Sequence, residues 1–295
     1  MKKCLLVLFV SLFACLNVLA QNAPPRVILI VREEIKPGMM PTHSRHAAEY
    51  AAMFAKLQTP NERLALVPIA GNENEVVYLN PAASFAEIEK INQDTDKKMS
   101  AVNASMQSQV DRLNKEAPAL HNNMRDMLAV YRPELSFNPG VNVPQMRYFS
   151  VTTVRIRPGH DAQYGEYVQK MLNVAREKAK VTNLHAAVYS VISGTVGGTY
   201  IIFRPLKSLA EFDENIGAKV RAAMSDDQKK DADKMYGEAV ISSETSTYAF
   251  APRMSFVSKE FASADPDFWH PRTEMAAKPK PKKRAPKAPP TPPAN

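Results

Sequence analysis

The sequence is poor in cysteine: two in 295 residues, Cys4 and Cys15, both inside the first twenty. Once that segment is removed, the chain can form no disulfide and offers no thiol nucleophile. A disulfide-braced scaffold and a cysteine-dependent enzyme are therefore excluded together. Serine-hydrolase elbows, His-Glu-x-x-His helices and dinucleotide fingerprints are also missing. The Gly-rich string Gly194-Thr195-Val196-Gly197-Gly198 lacks a Gly-Lys-Ser/Thr ending and lies between two apolar runs, so it is expected to be a hairpin turn rather than a phosphate cradle. The body also lacks an excess of one charge. Lys2, Lys3 and six basic residues of 278–295 account for the whole net charge of +8, leaving 21–277 balanced. A folded nucleic-acid-binding surface is not expected.

What is present begins with two unusual ends. Lys2-Lys3, the apolar run Cys4 to Ala14 broken only by Ser11, and Val18-Leu19-Ala20 before Gln21 form the pattern of a signal peptide over 1–20. The protein is accordingly expected to be periplasmic or secreted. The run is too short to span a bilayer core of about 30 Å, so no transmembrane span is expected after processing. A rival reading is a lipoprotein anchored through Cys15, because Leu12-Phe13-Ala14-Cys15 resembles a lipobox, although Phe13 fits it poorly. At the other end, 278–295 holds seven of the 23 prolines and no large apolar residue, too little to offset its ordering entropy. It is expected to be a disordered spacer, with attachment to an anionic envelope surface as the functional alternative.

Between the ends the chain repeats itself. Ile35-Lys36-Pro37-Gly38 recurs as Ile156-Arg157-Pro158-Gly159, at an offset of 121. Pro81-Ala82-Ala83-Ser84-Phe85-Ala86-Glu87-Ile88 recurs as Pro205-Leu206-Lys207-Ser208-Leu209-Ala210-Glu211-Phe212, at 124, and Pro133-Glu134-Leu135-Ser136-Phe137 as Pro252-Arg253-Met254-Ser255-Phe256, at 119. Three matches in one order at nearly one offset mark a duplication. Within each copy a β-rich run ends at the Pro-Gly turn and is followed by apolar residues at helical spacing. Two strands then form a hairpin, Ser84 or Ser208 caps a helical region with Glu three residues on, and a last strand closes the unit. The expected order, strand-helix-strand-strand-helix-strand, gives units at 26–140 and 145–257.

That order, with the hydrophobe-basic-Pro-Gly ending of each first strand, resembles the dimeric α+β barrel superfamily, in particular its NIPSNAP and antibiotic-biosynthesis-monooxygenase-like families. The resemblance implies an α+β fold in which tandem ferredoxin-like βαββαβ units pair their antiparallel sheets as a pseudo-dimeric barrel. It also implies that any ligand cavity lies between a sheet and its helices. The cofactor-free monooxygenases of the superfamily use an Asn, Trp and His set in each unit. Here the sole tryptophan, Trp269, comes after the second unit, so that set cannot be mapped. Phe268 and Trp269 are instead expected to staple the segment after the second unit onto the barrel.

Among candidate site residues, His43, His46 and Tyr50 are spaced to share one helical face. Two imidazoles there are a candidate pair for ligating a metal or haem, or for moving protons; an exposed helix entrance is the bland alternative. Their counterparts at the offset of 121 are Tyr164, Tyr167 and Met171, so Tyr164 and Tyr167 are the matching candidates in copy two. His160 and His185 stand alone, and His121 and His270 show no partner pattern. Asn92 to Glu116 carries a thin stripe of Ala101, Met106, Val110 and Leu113, suited to a surface helix or a packing partner. Met99, Met106, Met124 and Met127 are read as adaptable core filler. Three functions stay open: a non-enzymatic protein that binds a small apolar molecule or a protein partner; a haem- or metal-dependent, or cofactor-free, oxidoreductase using His43 and His46; and an envelope-attachment module acting through its tail.

Overall fold

The computed structural model describes residues 23–270. The expected signal segment and lipobox, and the basic tail, lie outside the described residues. Each half has the element order expected of its sequence. In the first, β1 (Val27–Ile35) runs into α1 (Met40–Leu57), then β2 (Leu64–Ala70), β3 (Glu75–Ala82), α2 (Phe85–Ser100), α3 (Ala104–Leu120) and β4 (His121–Tyr131). In the second, β5 (Tyr148–Ile156) leads to α4 (Asp161–Tyr167), a π-helical turn (Val168–Leu172) and α5 (Asn173–Lys178). Next come β6 (Ala187–Ser193), β7 (Thr199–Leu206), α6 (Ile216–Ala222), α7 (Asp226–Ala239) and β8 (Val240–Phe250). Two short helices, α8 (Lys259–Ser263) and α9 (Pro266–Trp269), come after the second unit.

Local chemistry explains the boundaries. Gly38 and Gly159 both take positive φ, 80° and 85°, at the Pro-Gly turns that end β1 and β5. Ser84 Oγ accepts from the Glu87 amide, while Glu87 accepts from the amide of Ala83. Ser208 and Glu211 complete a reciprocal capping box, although the segment it opens, Leu209–Phe212, is a four-residue 3-10 turn rather than an α-helix. The thin stripe of 92–116 belongs to two helices broken near Ala101. Ala101 itself is exposed, whereas Met106, Val110 and Leu113 are buried, with Met106 and Val110 packed against Met53 of α1.

The eight strands close into one barrel in the order β1-β3-β2-β8-β5-β7-β6-β4. Each half supplies four consecutive strands, and the halves join at antiparallel pairs β2–β8 and β4–β6, where Leu66 opposes Phe250 and Tyr131 opposes Tyr189. The fold is thus a tandem, pseudo-dimeric α+β barrel. Period-two alternation sends Ile28 and Ile30 inward and Glu33 and Ile35 outward beneath α1. The inner cluster draws on both halves, including Leu66, Leu79, Met127, Phe149, Phe203 and Phe250. Trp269 joins it, 2% exposed, donating from Nε1–H to Pro144 O at 2.7 Å and meeting Phe250 and Phe261 edge to face. Each such aromatic pair adds about 0.5–1.5 kcal/mol beyond area burial. The staple therefore reaches the barrel's own core.

A further local difference between the halves lies in their first helices. Gln58 and Lys180 end the equivalent helices, both left-handed at φ 50° and 53°, and their offset is 122 rather than the 121 of the Pro-Gly turns. The extra residue is absorbed by the π turn at Val168–Leu172. After it, Ala175 stands where Met53 stands, and Arg176 where Phe54 stands.

Gly194, at the tip of the β6–β7 hairpin, has φ 91°, and an added Cβ would lie 1.9 Å from Asp126 O of β4. Gly194→Ala is expected to lose about 2 kcal/mol or more in denaturant unfolding. Gly237→Ala, in α7 with open space around it, should gain about 0.5–1 kcal/mol. Equal stability of Gly194→Ala and wild type would show that the hairpin tip is not tightly packed on β4.

Candidate functional site

Beneath α1, on the outer face of the first half's sheet, lies a cavity of about 300 Å³. Its inner end is ionic and its walls are mostly apolar, with Ala47, Ala51, Phe54, Met254 and Phe256 among them. Glu33 reaches this end from β1 and His43 from the first turn of α1. His121 is the first residue of β4, held opposite Ile35 where a bulge shifts the β1–β4 register. Arg63 arrives from just before β2, fixed by backbone hydrogen bonds to Phe256.

Glu33 is 5% exposed and His43 1%. Glu33 Oε2 accepts from His43 Nε2–H at 2.7 Å and from His121 Nε2–H at 3.2 Å, and Oε1 accepts from Arg63 Nη2–H at 3.2 Å. His121 also donates from Nδ1–H to Ala117 O at 2.8 Å. With acceptors on both sides of its ring, His121 is an imidazolium in this arrangement. His43 has its Nε2–H on Glu33, while its buried Nδ1 has no partner among the described residues. Burial pushes the Glu33 carboxyl up, but hydrogen bonds from His121 and His43 and the charge of Arg63 more than offset it, bringing it down to about 2. The hydrogen bond to Glu33 raises the His121 pKa against the opposing effect of burial. Arg63 also lies over the Tyr78 ring, 3.7 Å from its centre.

His43 and His46 both line this cavity, but they have different partners. His46 is buried on the same helix, but its Nε2–H donates to Leu113 O of α3 at 2.9 Å, and its ring meets Tyr50 edge-on. It ties α1 to α3. Tyr50, half-buried on the cavity wall, donates to Asn114 of α3 at 2.6 Å. His121, unremarkable in the sequence, takes the place expected of His46. No sequence signal could have found it, because it lies 78 residues from His43 and meets it only through strand pairing. Met124 is likewise no core filler: it is 53% exposed at the cavity's edge. His160, at the start of α4, bonds through Nδ1 to the Gln163 side-chain oxygen, and His185 bonds to Asn138 O.

Glu33, His43 and His121 present three ligand atoms within 4.8 Å of one another, a set that could hold a metal ion. Two ligands already have outer partners of the kind metal sites use: Ala117 O on the far nitrogen of His121, and Arg63 on the second oxygen of Glu33. Haem fits poorly. His46 is bonded to Leu113, and His43 and His121 converge on one shared carboxylate, which suits a small ion better than a macrocycle. In the second half, strand register and helix offset place Val154, Tyr164, Ala186 and Val240 at the positions of Glu33, His43, Arg63 and His121. Val154, Tyr164 and Val240 belong to one apolar cluster, in which Tyr164 is buried against Tyr200, and Ala186 to a second; Tyr164 and Tyr167 both line the cavity there. The fold therefore closes without the ionic cluster.

A group whose folded pKa is depressed stabilises above its unfolded value and loses that contribution as pH falls through the folded one. In chelator-treated protein, Glu33 should supply on the order of 3 kcal/mol that disappears between about pH 4.5 and 2. His121 acts oppositely: its contribution is full below its unfolded pKa and fades as pH rises through its raised folded value. Urea midpoints from pH 5 to 2.5 should fall more steeply for wild type than for Glu33→Gln. Parallel curves would contradict the assigned ionic state.

No protein-family model matches the chain, and no curated protein matches it. Solved structures do. A chlorite dismutase from Candidatus Nitrospira defluvii, determined with imidazole, is 11% identical at a TM-score of 0.47, covering 83% of this chain and 97% of its own. An anthrone oxidase-like protein is 9% identical at 0.46, covering 78% and 93%. A candidate monooxygenase from Fusobacterium nucleatum subsp. nucleatum is 7% identical at 0.47, covering 77% and 93%. The likeness is one of fold.

Proposed function

We propose that the protein binds a divalent transition-metal ion through Glu33, His43 and His121, and with it takes a small, largely apolar molecule in the adjoining cavity. The observation that carries this reading is the difference between the halves: the same fold positions hold Val154, Tyr164 and Val240 in the second unit. A buried carboxylate and two imidazoles are costly to keep unless they are matched, and apolar residues suffice where the fold alone is served. Two imidazoles and one carboxylate leave further coordination positions open to a ligand, the arrangement of many iron- and zinc-dependent sites. A bound metal would supply Lewis-acid or redox chemistry. The chain's own part is to hold the ligand atoms, to fix the His121 tautomer through Ala117 and to exclude water with Phe54, Phe256 and Met254.

A second reading is metal-free proton transfer, favoured by the unpartnered Nδ1 of His43 and by the guanidinium of Arg63 beside Glu33. In that case Glu33 orients His43 so that its bare nitrogen acts as the base. Export and the finer kinship with NIPSNAP-like families belong to the proposal as well, resting on residues 1–20 and on the repeated Pro-Gly motif.

Titration of chelator-treated protein with Co(II), monitored by its visible absorption and by calorimetry, should give one site per chain. Affinity should rise with pH, because His121 must lose a proton to bind metal. Glu33→Gln and His121→Ala should each weaken it at least about 100-fold, and His46→Ala should leave it nearly unchanged. Absence of binding, or binding untouched by both substitutions, would sink the metal reading. The proton-transfer reading would then stand on whether an apolar ligand still protects His43 from chemical modification.

A further inference from the structure

The second half has a cavity of its own, about 320 Å³, between the outer face of its sheet and the α4–α5 helix. Val154, Leu172, Leu184 and Ile202 make much of its wall, with Tyr167 and Tyr236 beside them. Two arginines line it. Arg176 occupies the place that Phe54 holds in the first half, brought there by the one-residue π turn. Arg204 occupies the place of Asn80, as the equal registers Leu29–Asn80 and Ser150–Arg204 require.

Neither guanidinium forms an ion pair among the described residues, although Glu211 and Glu214 attract Arg204 from farther off. Arg176 donates from Nη1 to the Asn173 side chain at 2.8 Å and lies 5.6 Å from the centre of the Phe137 ring. Arg204 makes one long hydrogen bond, 3.4 Å from Nη2 to Glu211 O, and its buried Nε has no partner among the described residues. Among the same residues no carboxylate forms an ion pair with either. The nearby acids are engaged elsewhere: Glu211 accepts from the amides of Lys207 and Ser208, and Glu214 pairs with Lys219. Burial pushes the pKa of both arginines down, Arg176 to about 10, against weaker opposing attraction from neighbouring groups. Both side chains are partly buried, and cations so placed are ordinarily paired.

We infer that this cavity binds an organic carboxylate with an apolar body, its charged end held by Arg176 and Arg204 and its body against Leu172, Leu184 and Ile202. The planar guanidinium matches a carboxylate through two parallel N–H donors. The apolar walls favour a ligand whose remaining surface needs no hydration, over a small hydrated anion. This site is separate from the metal centre proposed for the first half and does not depend on it.

Calorimetric titration of the full chain with 3-phenylpropionate, its neutral amide 3-phenylpropionamide and inorganic phosphate tests the inference. The carboxylate should bind and the amide should bind at least about tenfold more weakly. Arg176→Met and Arg204→Met should each weaken carboxylate binding about tenfold or more, whereas Arg176→Lys should retain most of it. Glu33→Gln, in the other half, should leave it unchanged, which separates failure here from failure of the metal reading. The thermal midpoint of Arg176→Met should equal or exceed that of wild type, since an unpaired buried charge is removed. Equal binding of acid and amide, or unaltered affinity in both Met variants, would overturn the proposal. Phosphate binding as tightly as the carboxylate and displacing it would also overturn it, reducing the cavity to a general anion site. If Arg176→Met fails to fold, Arg204→Met and the acid–amide comparison decide the matter.

Discussion

Everything in this molecule depends on two lines of backbone hydrogen bonds, β2 to β8 and β4 to β6. A four-stranded sheet with helices on one face leaves its other face wet and two strand edges unpaired. Joining two such sheets edge to edge removes all four edges and makes the wet faces into one interior. That interior is filled by aliphatic and aromatic side chains from both units, and Trp269 adds to it from beyond the second. Because the backbone satisfies its polar groups around a closed ring, the outer surfaces beneath the helices are relieved of any part in closure.

Relief from that duty explains how the halves came to differ. The inner face is apolar over most of its length in both copies, with an Arg32–Glu75 ion pair bonded to Tyr248 toward one end. Under α1 the sheet carries Glu33 among two histidines and Arg63; under α4 the same positions carry valine, tyrosine, alanine and valine. The second cavity has charge of a different kind at other positions, Arg176 and Arg204, neither with a carboxylate partner among the described residues. One copy has gathered a carboxylate–imidazole centre, the other a cationic pocket. The helical insertion that aims Arg176 inward is a single residue, taken up as a π turn without disturbing the strands on either side.

The sequence made the duplication plain because the motifs that carry it are local. A Pro-Gly turn, a capped helix start and an alternating strand each show themselves within about ten residues. His43 was also within reach, since helical spacing puts it on the inward face. Its partner was not. His46 has the right spacing to share that face, yet the position of α3 gives it a carbonyl to hold, and Glu33 and His121 arrive through the β1–β4 pairing. The thin stripe of α3 suited a helix packed against a partner, but did not show that the partner is α1 or that α3 holds His46 and Tyr50.

The amino-acid sequence by itself determined the unit, its repetition and the inward face of its first helix, because periodicity and turn chemistry act between near neighbours. Tertiary structure alone decided which charged side chains are brought together: Glu33 with His43, His121 and Arg63 in one cluster, and Arg176 and Arg204 on the wall of one cavity. Those encounters join residues tens of positions apart, and their geometry is set by strand register and by one added helical residue, neither of which leaves a mark in local sequence pattern.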